Sequence, residues 1–229
     1  MVVAVHQKEE LKEALAILQR GGLVAYPTDT VYGLGANAFD PTAVLRVFQA
    51  KGRPPTEPMP VLLPDVLYMP WVARDIAEVA WRLALRFWPG ALTLVLPRTA
   101  DVPDAVTGGR DSVAVRVPDH PVPRALSRLL GAPITGTSAN LSGQPSPAGT
   151  SGVRAQLGDR VDLVMEGECY LGKESTVVEI AGFNATPRLI RQGAIPWAAV
   201  QEVIAQVPPL WVDAPGPWPK PAGKGRRAA

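Results

Sequence analysis

Apolar positions recur along this chain with two different periods. Leu11, Ala14, Leu15 and Leu18, with Glu9 at the start, have the spacing of one helical face, and Gly21-Gly22 closes that helix. "LVAY" (23–26) then reads as a short buried strand. Asp40 before Pro41 predicts an N-cap with proline in the first turn, opening a helix that runs to about Lys51. "PVLL" (60–63) predicts a strand, "ARDIAEVAWRLALRFW" (73–88) a long helix closed by Pro89-Gly90, and "ALTLVL" and "SVAVRV" two further strands. A helix after Pro123, a strand at "PIT" and a helix near 150–157 follow. The strands "VDLVM", "STVVEI" and "RLIRQ" come next, and Pro196 opens a last helix. Strands and helices alternate irregularly, and several strands crowd toward the C-terminus. That pattern predicts an α/β fold with a mixed sheet flanked by helices, in place of a doubly wound parallel sheet.

Chain length and composition narrow the class. A chain of 229 residues with 47% hydrophobic and 19% charged residues can bury a large core. Only "MVVAV" precedes His6 and the first charges, and no run of about 18 apolar residues occurs, so neither a signal peptide nor a membrane span is expected. The single Cys169 excludes an internal disulfide framework and a CxxC metal site, which fits a cytoplasmic setting. Net charge is +2, and Lys220, Lys224, Arg226 and Arg227 against Asp213 put the basic excess in the last residues. The body is close to neutral and gives no support to a nucleic-acid-binding face. Residues 1–207 are expected to form one catalytic domain. Residues 208–229, rich in Pro, Gly, Lys and Arg, are expected to be a flexible tail.

Familiar catalytic templates fail. The chain has no GxxxxGK[ST], GxGxxG, HExxH or GxSxG motif. His6 and His120, the only histidines, read as surface residues, and Cys169 has no evident His partner. What remains is a set of loops and strand ends rich in hydroxyls and cations. "AYPTDTVYGLGAN" places Thr28, Asp29 and Thr30 after a strand, with two glycines for a tight turn. "KGRPP" offers Lys51 and Arg53, either to grip polyphosphate oxygens or simply to complement a helix C-terminus. Alternation in "SVAVRVP" sets Ser112, Ala114 and Arg116 on one face and the valines on the other. A buried Arg116 then needs either an ion-pair partner or a bound anion. "GTSANLSG" brings Thr137, Ser138 and Asn140, as ligand contacts or ordinary turn residues. Ser175 and Thr176 begin one strand and Arg191 ends another. Taken together, these describe a cleft for an anion beside a small polar molecule.

In this order, "YPTDTVYGLGANAFD", "KGRPP", "SVAVRVP", "TGTSANLSG" and "STVVEI…LIRQG" resemble the YrdC-like family of threonylcarbamoyl-AMP synthases over roughly residues 8–205. The resemblance implies a twisted mixed sheet around a central cationic cavity. It implies a nucleotidyltransferase that joins L-threonine, bicarbonate and ATP into threonylcarbamoyl-AMP and pyrophosphate. Mg2+ would accompany ATP. A separate tRNA threonylcarbamoyltransferase would receive the product, and a weak direct tRNA contact is a further expectation. Carried over residue by residue, Thr30, Arg116, Ser138 and Ser175 would contact threonine, with Ser138 and Asn140 shared between the substrates. Lys51, Arg53, Ser112, Asn140 and Arg191 would contact ATP. No dedicated catalytic nucleophile or base is implied; proximity and charge stabilisation by Lys51 and Arg53 would suffice.

Two positions depart from the family pattern: Glu57 stands where many relatives have Asn, and Leu62 where many have His. Beside a triphosphate, Glu57 would repel unless it binds Mg2+ or points away. The competing readings are a YciO-like paralogue and an RNA-binding module. The carbamoyltransferase of hydrogenase maturation would need fused segments that this chain lacks.

Overall fold

A computed structural model describes residues 5–206, and side chains from residue 8. The expected tail lies outside the described residues, as does the side chain of His6. Helix α1 (Val5–Gln19) leads through Gly21, at φ 78°, into β1 (Val24–Tyr26), which is wholly buried. Strand β2 (Gly33–Gly35) returns antiparallel, pairing Val24 with Gly35 and Tyr26 with Gly33. Its glycines do more than turn the chain. A Cβ on Gly33 would lie 2.6 Å from Tyr26 Cε2, and one on Gly35 2.4 Å from Tyr26 Cε1. The Tyr26 ring therefore lies across bare backbone, and its hydroxyl donates to Thr135 O at 2.6 Å.

Asp40 caps α2 (Pro41–Lys51) as expected, its carboxylate accepting from the backbone N–H of Thr42 and Ala43. Then follow β3 (Val61–Leu62), a 3-10 turn (Val66–Trp71) and α3 (Glu78–Phe87). The helix expected from Ala73 thus starts five residues later. Residues 73–75 are held in another conformation: Ala73 bridges Arg98, Arg74 N–H donates to Pro97 O at 2.9 Å, and Asp75 has φ 48°. Strand β4 (Leu92–Pro97), the short α4 (Asp104–Thr107) and β5 (Ser112–Arg116) come next. Helix α5 (Pro121–Leu130) starts two residues before the expected Pro123, because His120 Nδ1 caps it by accepting from Val122 N–H at 3.2 Å. His120 is therefore not a surface residue. It is buried, stacks on Tyr170, and burial pulls its pKa below the usual histidine range. The chain continues through β6 (Ile134–Thr135), β7 (Thr137–Ser138), α6 (Thr150–Leu157), β8 (Leu163–Val164), β9 (Thr176–Glu179), β10 (Arg188–Arg191) and α7 (Trp197–Ala205).

Two mixed sheets result, ordered β7-β2-β1-β8 and β10-β9-β4-β5-β3-β6. The segment Ile134–Ser138 runs from one into the other, and Thr135 locks the passage by donating from its backbone to Ala36 O and accepting from Ala36 N–H. Parallel pairs (β3·β5, β4·β9, β1·β8) sit beside antiparallel ones, the mixed pattern expected. The main core lies between the six-stranded sheet and the helices. The opposite face of β4, β5 and β9 is left open, and that face carries the chemistry.

Candidate functional site

On this open face the pairing of Thr93 with Val177, Val95 with Glu179 and Val95 with Ala114 brings three strands into register. With a side-chain period of two, Thr93 and Val95, then Ser112, Ala114 and Arg116, then Ser175, Val177 and Glu179 all point one way. Strand β10 adds Arg188, Ile190 and Arg191. Strict alternation would not let both of the last two face the same side. A register shift between Leu189 and Arg191 allows it. These residues, with the loop after β1 and the end of β7, enclose a cavity of about 600 Å³.

Arg116 forms its floor and is 7% exposed. Its Nε donates to Gly90 O at 2.8 Å, one terminal nitrogen to Thr30 Oγ1 at 2.9 Å and the other to Asp29 Oδ1 at 2.5 Å. Burial pulls the guanidinium below its ordinary pKa, and the Asp29 carboxylate opposes that pull. Of the five N–H donors of an arginine, three are engaged and two have no partner among the described residues. The ion-pair reading of Arg116 therefore holds, with Asp29 as the partner.

Proton counting fixes the threonines. Thr28 Oγ1 donates to Val31 O at 2.7 Å, so in its 2.9 Å contact with Thr30 Oγ1 it accepts, and Thr30 is the donor. Thr30 Oγ1 in turn accepts from Arg116. Its single proton is committed, and to anything in the cavity it offers only a lone pair. Just before β9, Ser175 Oγ shares a hydrogen bond at 2.8 Å with Thr93 Oγ1 of β4.

Arg53, Ser112, Ser138 and Arg191 also face the cavity, whereas Lys51 and Asn140 lie behind its wall. Lys51 Nζ, 3% exposed, donates to Ser138 O at 2.5 Å, Asn140 O at 2.9 Å and Asn140 Oδ1 at 3.0 Å. Burial, helped by nearby Arg53, brings its pKa down to about 8. The Asn140 amide also donates to Leu141 O and Gln144 O, and Ser138 Oγ donates to Asn140 Oδ1 at 2.5 Å. In this structure the Lys51–Asn140 pair stiffens the loop that presents Ser138.

Glu57 neither projects into the cavity nor stands alone: it pairs with Arg53 at 2.8 Å. Leu62 is a wall residue packed beneath Gly136, where a Cβ would lie 2.7 Å from it. Arg191 pairs with Glu174, which also accepts from Ser146 Oγ at 2.9 Å. The half-buried thiol of Cys169 is pushed up by burial, away from nucleophilic use. Sequence reasoning left Asp29 undecided and passed over Thr93, Arg110, Glu174 and the Arg188–Glu179 pair. The period-two register would have found Thr93 and Glu179 once β4 and β9 were known to be neighbours.

An α/β sheet whose open face gathers arginines and hydroxyls over one buried Arg–Asp pair defines a small-molecule cleft suited to anionic and hydroxylated ligands. The chain belongs to the Sua5/YciO/YrdC family, whose model, described as "Telomere recombination", matches residues 16–193. It is 40% identical over 213 residues to threonylcarbamoyl-AMP synthase of Pyrococcus abyssi, covering 90% of this chain and 62% of that protein. It is 42% identical over 206 residues to threonylcarbamoyl-AMP synthase of Bacillus subtilis, covering 89% and 58%. The chain thus spans about 60% of the length of these relatives. Among solved structures, that of Pyrococcus abyssi Sua5 complexed with L-threonine superposes with a TM-score of 0.82 at 41% identity, covering 87% of this chain and 58% of that one. The expected twisted mixed-sheet fold is therefore that of the family. Among the described residues, no helix is long and apolar enough to cross a membrane.

Proposed function

We propose that this protein is an L-threonylcarbamoyladenylate synthase, a nucleotidyltransferase that converts L-threonine, bicarbonate and ATP into threonylcarbamoyl-AMP, pyrophosphate and water. The observation that carries the reading is the Arg116 floor. A buried guanidinium with two spare donors, beside the hydroxyl pair Thr93–Ser175, suits an amino acid that has one carboxylate and one hydroxyl. The relatives named threonylcarbamoyl-AMP synthase, and the Pyrococcus abyssi protein that binds L-threonine, support the same assignment.

In this reading Arg116 takes the threonine carboxylate, Thr30 accepts a hydrogen bond, and Ser138 and Ser175 contact the amino acid. Arg53, Ser112 and Arg191 hold the nucleotide. Lys51 and Asn140 act on ATP through the loop that carries Ser138, and Lys51 adds its charge from behind. The threonine amine attacks CO2 derived from bicarbonate and loses a proton, giving a carbamate. A carbamate oxygen then attacks the α-phosphorus, and pyrophosphate leaves with the bond electrons. Held in one cleft, the reactants gain from proximity, and the arginines offset charge growing on the phosphates. Mg2+ enters on ATP as part of that substrate. The product passes to a separate tRNA threonylcarbamoyltransferase. Four of the cavity arginines each face a carboxylate, which is unlike the open basic face that an RNA backbone requires. Direct tRNA contact is thus a secondary part of the proposal. Incubation with MgATP, bicarbonate and L-threonine should release pyrophosphate only when all three are present; release that ignores threonine would reject the assignment.

A further inference from the structure

Five arginines line the cavity, against Glu174 and Glu179. Arg53 is paired with Glu57, Arg116 with Asp29, Arg188 with Glu179 and Arg191 with Glu174. Among the described residues Arg110, which is exposed, has neither an ion pair nor a side-chain hydrogen bond. Four charges are therefore locally compensated, and among the arginines that line the cavity the free positive charge sits at Arg110.

Its backbone is held in place on purpose-shaped chain. Helix α4 ends in two consecutive glycines with positive φ, 61° at Gly108 and 79° at Gly109, and Arg110 follows directly. A Cβ on Gly108 would come within 2.2 Å of Thr56 O, so only glycine lets this turn seat on the loop after α2. Met59 N–H, donating to Val106 O at 2.9 Å, fastens the same two segments together. Arg110 and Arg53 consequently stand on one lip of the cavity. Ser112, two residues along the same chain, points into it.

We propose that Arg110 is a phosphate-binding residue that takes the terminal phosphates of ATP and then the departing pyrophosphate. The identity of that ligand rests on the synthase reading; the anion site itself rests on the uncompensated charge and the clamped lip. A polyphosphate concentrates its charge at one end, and that end lies most favourably against a cation whose field no neighbour cancels. The paired arginines orient the ligand, and Arg110 supplies the net attraction at the lip, with Lys51 adding to it from behind the wall.

Calorimetric titration of inorganic pyrophosphate with Mg2+ into the full chain tests this without catalysis. Arg110→Gln should weaken pyrophosphate binding about tenfold, equivalent to about 1.4 kcal/mol, while L-threonine binding stays unchanged. Arg86→Gln makes the same charge change on the exposed side of α3 and should leave pyrophosphate binding as it was. Undiminished binding to Arg110→Gln would overturn the proposal. So would an equal loss in Arg86→Gln, a parallel loss of threonine binding, or no measurable pyrophosphate binding by the unaltered protein. If pyrophosphate binds with the expected pattern but no threonine-dependent turnover occurs, the synthase reading falls and the Arg110 site stands.

Discussion

Arg116 and Lys51 are both cations taken out of water, but they solve that problem differently. Arg116 has a carboxylate partner, so removing the partner's charge alone should be costly. Asp29→Asn keeps the shape and leaves a buried guanidinium uncompensated; it is expected to lower the free energy of unfolding by about 3 kcal/mol in urea denaturation. A loss below about 1 kcal/mol would mean that the pair is not buried as described. Lys51 is satisfied by neutral oxygens only, and its pKa falls to about 8. Below that value it is charged in both folded and unfolded chains. Between about 8 and the unfolded value of 10.5 the unfolded chain binds the proton and the folded one releases it, so this group makes stability rise with pH across that window. The stability of the unaltered protein relative to Lys51→Met should climb over the same interval. An NMR titration of labelled lysine Nζ should find one midpoint near 8. A midpoint at the ordinary lysine value would refute the buried setting.

At the level of elements, the second strand shows how much of the site depends on missing side chains. Gly35→Ala would drive a methyl group into the Tyr26 ring, 2.4 Å away, in a core that has no slack. The expected cost is about 2 kcal/mol, read as a fall in Tm of about 5 °C. An unchanged Tm would show that the ring can move aside. The sequence made most elements legible. Capping at Asp40, the glycine stops and the alternation in "SVAVRV" each act through near neighbours, and the structure follows them closely. Three features were hidden because distant contacts decide them. Residues 73–75 forgo a helix to bond with Pro97 and Arg98, His120 stacks on Tyr170, and the bulge in β10 turns Arg191 inward. The glycines after β1 were read as turn formers, whereas their role is to admit an aromatic ring whose position no local pattern reveals.

Across the whole molecule, one open sheet face collects what the sequence had scattered over 160 residues, from Thr30 to Arg191. Strand order explains why: β4 lies between β5 and β9, so Arg116 and Ser175 flank one strand although they are far apart in the chain. The residues expected to touch ligands divide accordingly. Arg53, Ser112, Arg116, Ser138, Ser175 and Arg191 reach the cavity, with Thr30 at its edge, while Lys51 and Asn140 brace it from behind. On the proposed synthase reading the cleft works by holding two ligands together, so its chemistry should be a condensation between bound reactants. Mass spectrometry after incubation with MgATP, L-threonine and 13C-bicarbonate tests that directly. The expected result is threonylcarbamoyl-AMP carrying the label in its carbamoyl carbon, formed only with threonine present and reduced at least tenfold by Arg116→Ala. ATP consumption without a labelled adenylate, or a labelled product indifferent to threonine, would contradict it.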